Sequence, residues 1–249
     1  MSTQPPQAPS PGPQARRTCI VAIDGPAASG KSSTAQWVAE KLGFRHVDSG
    51  ALYRAATLAA LREAEGDASA GDWTEDEVLR VAADVSLRPA ATTFTPYLGE
   101  LSVDQEVRGT EVTRHVSWVA QMPRVRDWVN EMVRRTAMDS DVVVDGRDIG
   151  TAVFPEADLK VFLVADPWER ARRRLLQRLG RGPSDEEIAE ETDRLVQRDA
   201  KDATQTVQAK DAVLIDTTYL TQEEQVERIV ALARAVTHRG DGTSGVGPA

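Results

Sequence analysis

The sequence predicts an α/β fold: a parallel β-sheet covered by helices on both faces. Three observations carry this. Short apolar, β-branched runs recur along the chain, helix-patterned segments alternate with them, and a glycine-rich loop joins the first such run to the first such helix. TCIVAID (18–24) is apolar, ends at a glycine and predicts a buried strand. From Ser33 to Leu42, residues Ala35, Val38, Ala39 and Leu42 fall on one helical face, and Gly43 stops the helix. FRHV predicts a short strand, and Leu52 to Ala64 a helix. DVVVDG (141–146), LKVFLVAD (159–166) and AVLIDT (212–217) predict three more buried strands. TQEEQVERIVALARAV opens with a capping box, Thr221 to Glu224, and places Val226, Ile229, Val230 and Ala233 on one face. One region breaks the alternation. VSLRP, TPYLG and ELSVDQEV, between Val85 and Val107, predict a small antiparallel insert.

The 249 residues suffice for one sizeable domain, and the composition, 41% hydrophobic and 28% charged, is that of an ordinary globular chain. A net charge of −9 argues against broad attraction to nucleic acid or anionic membrane, while leaving room for a local basic pocket. The single cysteine, Cys19, excludes an internal disulfide framework, fits a reducing, cytoplasmic setting and is expected to be a small buried side chain. No apolar stretch approaches the roughly 18 residues a bilayer span needs. The Pro-, Gln- and Ser-rich start (1–17) has no apolar core and reads as a disordered tail, not a secretory signal. Residues 239–249 read as a second tail.

GPAASGKS, Gly25 to Ser32, matches G-x-x-x-x-G-K-[ST] without a mismatch, between a predicted strand and a predicted helix. Its glycines let backbone N–H groups wrap an anion, and the helix N-terminus adds a favourable dipole. Gly25, Pro26, Ala27, Ala28, Ser29, Gly30, Lys31, Ser32 and Ser33 are therefore the expected ATP-binding residues. Lys31 is placed to reach the β- and γ-phosphates, and the Ser32 hydroxyl to hold Mg2+.

Three classes of P-loop protein compete. A GTPase would carry N-K-x-D, but the only asparagine, Asn130, precedes a glutamate, and no D-x-x-G is present. A motor or remodelling ATPase would carry an apolar strand ending in D-E, which this chain lacks. A small-molecule kinase needs a second anionic subsite, and four arginine-containing segments could build one. In DSGALYR, Ser49 and Tyr53 offer hydroxyls and Arg54 can fork onto a phosphate; alternatively Tyr53 packs in a helix and Arg54 is solvated. In VVVDGRDIGT, Asp145 ends a strand where a carboxylate can face Mg2+ opposite Ser32, with Arg147 and Asp148 on the loop beyond; alternatively the aspartates are turn residues around Gly146. ERARRRLLQR is either an exposed basic helix face or a lid whose arginines, Arg170 and Arg174 on one face, neutralise the transferring phosphoryl group. The glycine-rich, acidic GRGPSDEEIAEE would belong to that flexible lid. In QRDAKDATQ, Arg198 and Asp202 share a helix face, as a surface ion pair or as ligands of a sugar hydroxyl and a phosphate.

Together IDGPAASGKS, VDSGALYR, SWVAQMPRVR, VVDGRDIGTAVFPEADLKVFL and ERARRR resemble the bacterial cytidylate kinases, the (d)CMP kinases of the nucleoside monophosphate kinase superfamily. The resemblance runs in order from about Ile20 to Val236, and DGRDIGT-x-VFP-x-A is its most specific part. It implies a P-loop nucleoside monophosphate kinase fold: a five-stranded parallel sheet, a small antiparallel insert and a helical lid. It implies one domain over 18–238, with core segments 18–84, 125–165 and 206–238, an insert near 85–124 and a lid near 166–205. It implies transfer of phosphate from Mg-ATP to CMP or dCMP by a cytoplasmic monomer. It places Ser49, Tyr53, Arg54 and Arg147 at the monophosphate, Ser117, Arg126 and Asp148 at the cytosine edge, and Arg198 and Asp202 at the sugar. Lys31, Arg147, Arg170 and Arg174 become charge stabilisers, and Ser32 and Asp145 the metal-side residues. One departure stands out: family members often carry R-D-x-x-D-x-x-R, and here Gln205 stands where the last arginine is expected.

Overall fold

The computed structural model describes residues 18–64 and 72–240. Of the expected tails, 1–17 and 239–249, residues 1–17 and 241–249 lie outside the described residues, while 239–240 complete the last helix. The chain runs from β1 (Ile20–Asp24) through the glycine-rich loop into α1 (Lys31–Leu42), then β2 (Arg45–Asp48) and α2 (Ser49–Glu63). After α3 (Glu75–Ala82) come β3 (Val85–Pro89), β4 (Phe94–Leu98) and β5 (Leu101–Ser102). Helices α4 (Thr110–Val119) and α5 (Pro123–Thr136) lead to β6 (Val142–Asp145), a π-helical turn (Ile149–Val153) and β7 (Leu159–Val164). An antiparallel helix pair follows, α6 (Pro167–Leu179) and α7 (Asp185–Asp202), then β8 (Val213–Asp216) and α8 (Gln222–Gly240).

Five strands form one parallel sheet in the order β2-β6-β1-β7-β8. Strand alternation explains why it is covered on both sides. Val142 and Val144 of β6 pack on one face with Ala22, Val47 and Leu52, while Val143 turns to the other with Val21, Ile23 and the α1 and α8 residues Val38, Val226 and Ile229. A sheet so buried needs near-continuous apolar strands, which is why these runs were legible. The insert is the expected antiparallel sheet, β3-β4-β5. It touches the main sheet where His46 bridges Thr93.

Helix ends follow local chemistry. Gly43 takes φ 72 and its N–H reaches Ala39 O and Glu40 O, closing α1. Thr221 and Glu224 exchange the predicted capping bonds ahead of α8. The helix expected from Leu52 starts earlier, at Ser49, because the Asp48 carboxylate caps the Ala51 N–H. Four features differ from expectation. The strand expected to be buried at 212–217 is the edge strand β8, in which Val213, Leu214 and Asp216 are exposed and only Ile215 is buried, because an edge has no neighbour on one side. Helices α4 and α5 occupy a stretch to which the sequence reading gave no elements. Much of the acidic GRGPSDEEIAEE is the start of α7, capped by a Ser184–Glu187 box. Cys19 is half-buried instead of buried, its N–H donating to Asp141 Oδ1 at 2.8 Å. No helix among the described residues is long and apolar enough to cross a membrane.

Candidate active site

The carboxyl ends of the parallel strands meet at one edge, where ligands bind in open α/β sheets. There the loop after β1 turns sharply. Gly25 takes φ 148, and a Cβ on it would lie 2.2 Å from the Leu163 carbonyl oxygen, so no side chain fits. Gly30 takes φ 88 and Ala28 φ 56, which curl the backbone around the loop's centre. Lys31 opens α1 and folds back: Nζ donates to Pro26 O at 2.6 Å. It is 6% exposed. Burial, and then the Arg147 charge, push the ammonium down to about 7. A polyanion in the loop would reverse that penalty.

Beside Lys31, the Ser32 hydroxyl donates to Asp145 Oδ2 at 2.9 Å. Asp145 Oδ1 lies 2.7 Å from His46 Nε2, and the Asp145 carbonyl accepts from Ser49 Oγ at 2.7 Å. Burial pushes the Asp145 carboxyl up, but the hydrogen bonds from His46 and Ser32 and the His46 and Lys31 charges together outweigh it, and the net direction is down. Burial pulls the His46 imidazole down, and Asp145 outweighs that to raise it. A hydroxyl and a carboxylate side by side suit Mg2+, which takes one or two protein oxygens and completes its shell with phosphate and water. Among the described residues no group of three or more His, Cys, Asp and Glu could hold a metal ion.

The opposite wall carries arginines. Arg147 Nε lies 3.5 Å and Arg198 Nε 3.8 Å from Asp202 Oδ2, too far for a hydrogen bond. Both Nε atoms are buried without a hydrogen-bond partner. Burial, and then the Arg147 charge, lower Arg198 to about 10. Such groups are expensive to leave unmet, and two together point to an anionic ligand. Arg54 donates to Val107 O at 3.2 Å and to Thr113 Oγ1 at 3.1 Å. Arg126 pairs with Asp148 and donates to Ala120 O at 3.1 Å, with its guanidinium 5.8 Å from the centre of the Tyr53 ring. Ser117 lines the same wall. Asp24, at the end of β1, underlies this loop: its oxygens accept from Ile149 N at 2.8 Å and Gly150 N at 2.7 Å, and burial pushes its carboxyl up to about 6.

Of the two expected lid arginines, only Arg174 lines the cleft; it pairs with Glu191 at 2.8 Å. Arg170 is 3% exposed and sits behind the phosphate loop, donating to Ala27 O at 2.8 Å and pairing with Asp199 at 2.6 Å. Asp199 in turn accepts from the Ala27 N–H at 3.2 Å. This corrects the reading of Arg170 as an arginine aimed at the transferring group; here it ties α6 and α7 to the loop. Sequence reasoning also missed the roles of His46, which lies in no quoted motif, of Asp24 and Asp199, which lie inside IDGPAASGKS and the R-D-x-x-D-x-x-R run without marking what they brace, and of Arg108, which lines the cleft 3.8 Å from Asp48.

Both walls face a single cleft of about 1260 Å3. That exceeds the roughly 300–1,000 Å3 of a pocket for one small ligand, and so admits a donor and an acceptor together. A phosphate loop and an arginine-lined second subsite sharing one cleft define a P-loop phosphotransferase. Residues 21–235 match the family described as cytidylate kinase. The chain is 41% identical over 219 residues to the cytidylate kinase of Limosilactobacillus fermentum, covering 84% of this chain and 92% of that one. It is 39% identical over 236 residues to that of Chlorobaculum tepidum, covering 91% and 97%. It is 37% identical over 219 residues to that of Acholeplasma laidlawii, covering 86% and 95%. The chain belongs to the cytidylate kinase family, and is a nucleoside monophosphate kinase.

Proposed function

We propose that this protein transfers the γ-phosphoryl group of ATP, with Mg2+, to CMP and dCMP, giving CDP and dCDP. The observation that carries the acceptor side is the pair of guanidiniums on Arg147 and Arg198, which share the single carboxylate of Asp202 and line the cleft that the phosphate loop enters. An oxygen of the acceptor monophosphate attacks the γ-phosphorus in line, and the bond from that phosphorus to the β-γ bridging oxygen breaks, releasing ADP. The attacking oxygen is already anionic, so no general base is assigned. Positioning and charge neutralisation carry the catalysis.

The residues divide by position. The loop from Gly25 to Ser33 cradles the donor phosphates, and Lys31 neutralises them. Ser32 and Asp145 would hold Mg2+, which when bound supplies charge neutralisation at the donor phosphates. Ser49, Tyr53, Arg54 and Arg147 hold the acceptor phosphate, and Arg198 with Asp202 its sugar side. Asp148 accepts from the cytosine amino group while Arg126 and Ser117 serve the ring acceptors. The Arg126–Asp148 pair pre-sets that pattern, which uracil does not match. Arg174, with its neighbour Arg173 on the cleft, acts from the α6–α7 lid, whose closure excludes water. The enzyme works as a cytoplasmic monomer.

The test is ADP formation from Mg-ATP with CMP, dCMP, UMP and AMP in parallel, against a control without acceptor. Turnover with CMP and dCMP well above the rest is expected. Equal turnover with UMP would overturn the base reading alone. Turnover independent of acceptor would overturn the kinase reading itself.

A further inference from the structure

Asp145 is held at three points, and one of them belongs to no motif. Its Oδ2 accepts from Ser32 at 2.9 Å and its main-chain oxygen from Ser49 at 2.7 Å. Its Oδ1 meets His46 Nε2 at 2.7 Å. Ser32 and Ser49 lie within the phosphate loop and DSGALYR, where a function was expected. His46 sits on β2, in a run that reads as an ordinary short strand. It is 6% exposed.

Burying an imidazole costs more than burying the valine or leucine that such a strand would otherwise carry. The main chain that carries the ring is also fixed. The His46 N–H donates to Thr92 O at 2.9 Å, and the His46 carbonyl accepts from Thr93 Oγ1 at 3.3 Å. On its other side β2 is in parallel register with β6, which carries Asp145. Thus the insert and the main sheet both set where the His46 backbone lies, and Nε2 meets Asp145 from there. A carboxylate with one oxygen anchored cannot swing about its Cβ–Cγ bond. Its other oxygen stays beside the Ser32 hydroxyl, with lone pairs left for a cation. Without the anchor, the carboxylate can rotate and accept from Ser32 through either oxygen.

We propose that His46 is a positioning residue for Asp145, and through it for the divalent cation that accompanies the donor nucleotide. This rests on the reading of Asp145 as a metal-side residue. Partners of this kind commonly change metal affinity or activity by roughly 10- to 100-fold when removed.

The test compares His46→Asn with His46→Gln. Both are polar and similar in size to histidine. Glutamine places its amide nitrogen near the position of Nε2, and asparagine near that of Nδ1, out of reach of Asp145. Mn2+ serves as the probe, its binding followed by electron paramagnetic resonance with the full chain and a non-hydrolysable ATP analogue. Steady-state rates and thermal melting are measured alongside. His46→Asn is expected to weaken Mn2+ binding roughly 10-fold or more, to raise the Mg2+ concentration needed for half-maximal rate, and to leave the KM for CMP within about twofold. His46→Gln is expected to recover most of the loss. Equal Mn2+ affinity in wild type and both variants would overturn the proposal. So would equal losses in both that track a fall in melting temperature, since that is a packing effect. His46→Phe, which keeps bulk without a donor, should match His46→Asn wherever it folds. Asp145→Asn separates the two layers. Unchanged Mn2+ binding there overturns the metal-side reading itself, whereas a loss there with none in His46→Asn overturns the role of His46 alone.

Discussion

The two walls of the cleft are built on opposite plans. On the donor wall the key side chains have internal partners: Lys31 rests on the Pro26 carbonyl and Ser32 on Asp145, and the Ala27 amide rests on Asp199. On the acceptor wall Arg147 and Arg198 straddle a single carboxylate and leave buried Nε atoms unmet. A donor nucleotide must therefore displace bonds that the loop already makes, while an acceptor phosphate completes bonds that the wall lacks. The donor wall is pre-folded, and its cost of binding is exchange. The acceptor wall is electrostatically strained without its anion, and ligand binding relieves it.

Lys31→Ala should break the donor wall with the largest effect. The ammonium is the donor-wall cation that the proposed mechanism uses on the transferring group. A loss of roughly 10^2- to 10^3-fold in kcat is expected, read from steady-state rates at saturating ATP and CMP. The fold should survive, because the lysine bonds only within its own loop, to Pro26 and Ser29. A variant with near-normal kcat would remove the asymmetry between the walls.

Arg198→Ala sharpens the other side. Its loss should raise the KM for CMP by roughly 10- to 100-fold, the worth of a charge-assisted contact, while the KM for ATP moves little. The same substitution should raise the melting temperature of the nucleotide-free protein, because it removes a cation that burial and the neighbouring Arg147 charge both disfavour. A fall in both CMP affinity and nucleotide-free stability would mean that the wall is a structural ion cluster.

The same contrast explains what the sequence made legible. The donor wall is contiguous: eight residues between a strand and a helix, with residue types dictated by phosphate geometry, so it could be read whole. The central strands β1, β6 and β7 were equally plain, because burial on both faces permits little but apolar residues, whereas the edge strands β2 (RHVD) and β8 (VLID, mostly exposed) are not held to that pattern. The acceptor wall is assembled from α2, α4, α5, the turn after β6, and α7: its arginine-containing segments were visible as candidates, but Ser117 and Arg126, and the roles of the rest, came only through a family resemblance. Residues acting one layer back left no local trace. Asp24 braces the turn after β6 across 125 residues, and Asp199 braces the phosphate loop across 172. Arg170 and Arg174 share a helical stripe in sequence, yet one tucks behind the phosphate loop and the other lines the cleft. Periodicity gives a face, but the neighbour that face meets is a tertiary fact.

The smallest expected effect concerns Gln205, where relatives often carry arginine. Its N–H bonds Asp202 O at 3.0 Å, just beyond α7, and its side chain lines the cleft. An arginine there would add a donor fork for the acceptor phosphate, but also a third cation beside Arg147 and Arg198. These terms oppose in the free protein and act together only once the phosphate is bound. Gln205→Arg should therefore lower the KM for CMP by a factor of about 3–10, or roughly 1 kcal/mol, and lower the melting temperature measured without nucleotide. Adding CMP should restore that melting temperature further than it does in wild type. An unchanged KM would place the missing charge elsewhere on the wall. Arg108 is the natural source, because it lines the cleft and is held only loosely, 3.8 Å from both Asp48 and Asp104. Arg108→Ala in the wild-type background would then cost more CMP affinity than in Gln205→Arg, and that difference would measure how much of the acceptor wall's charge had moved.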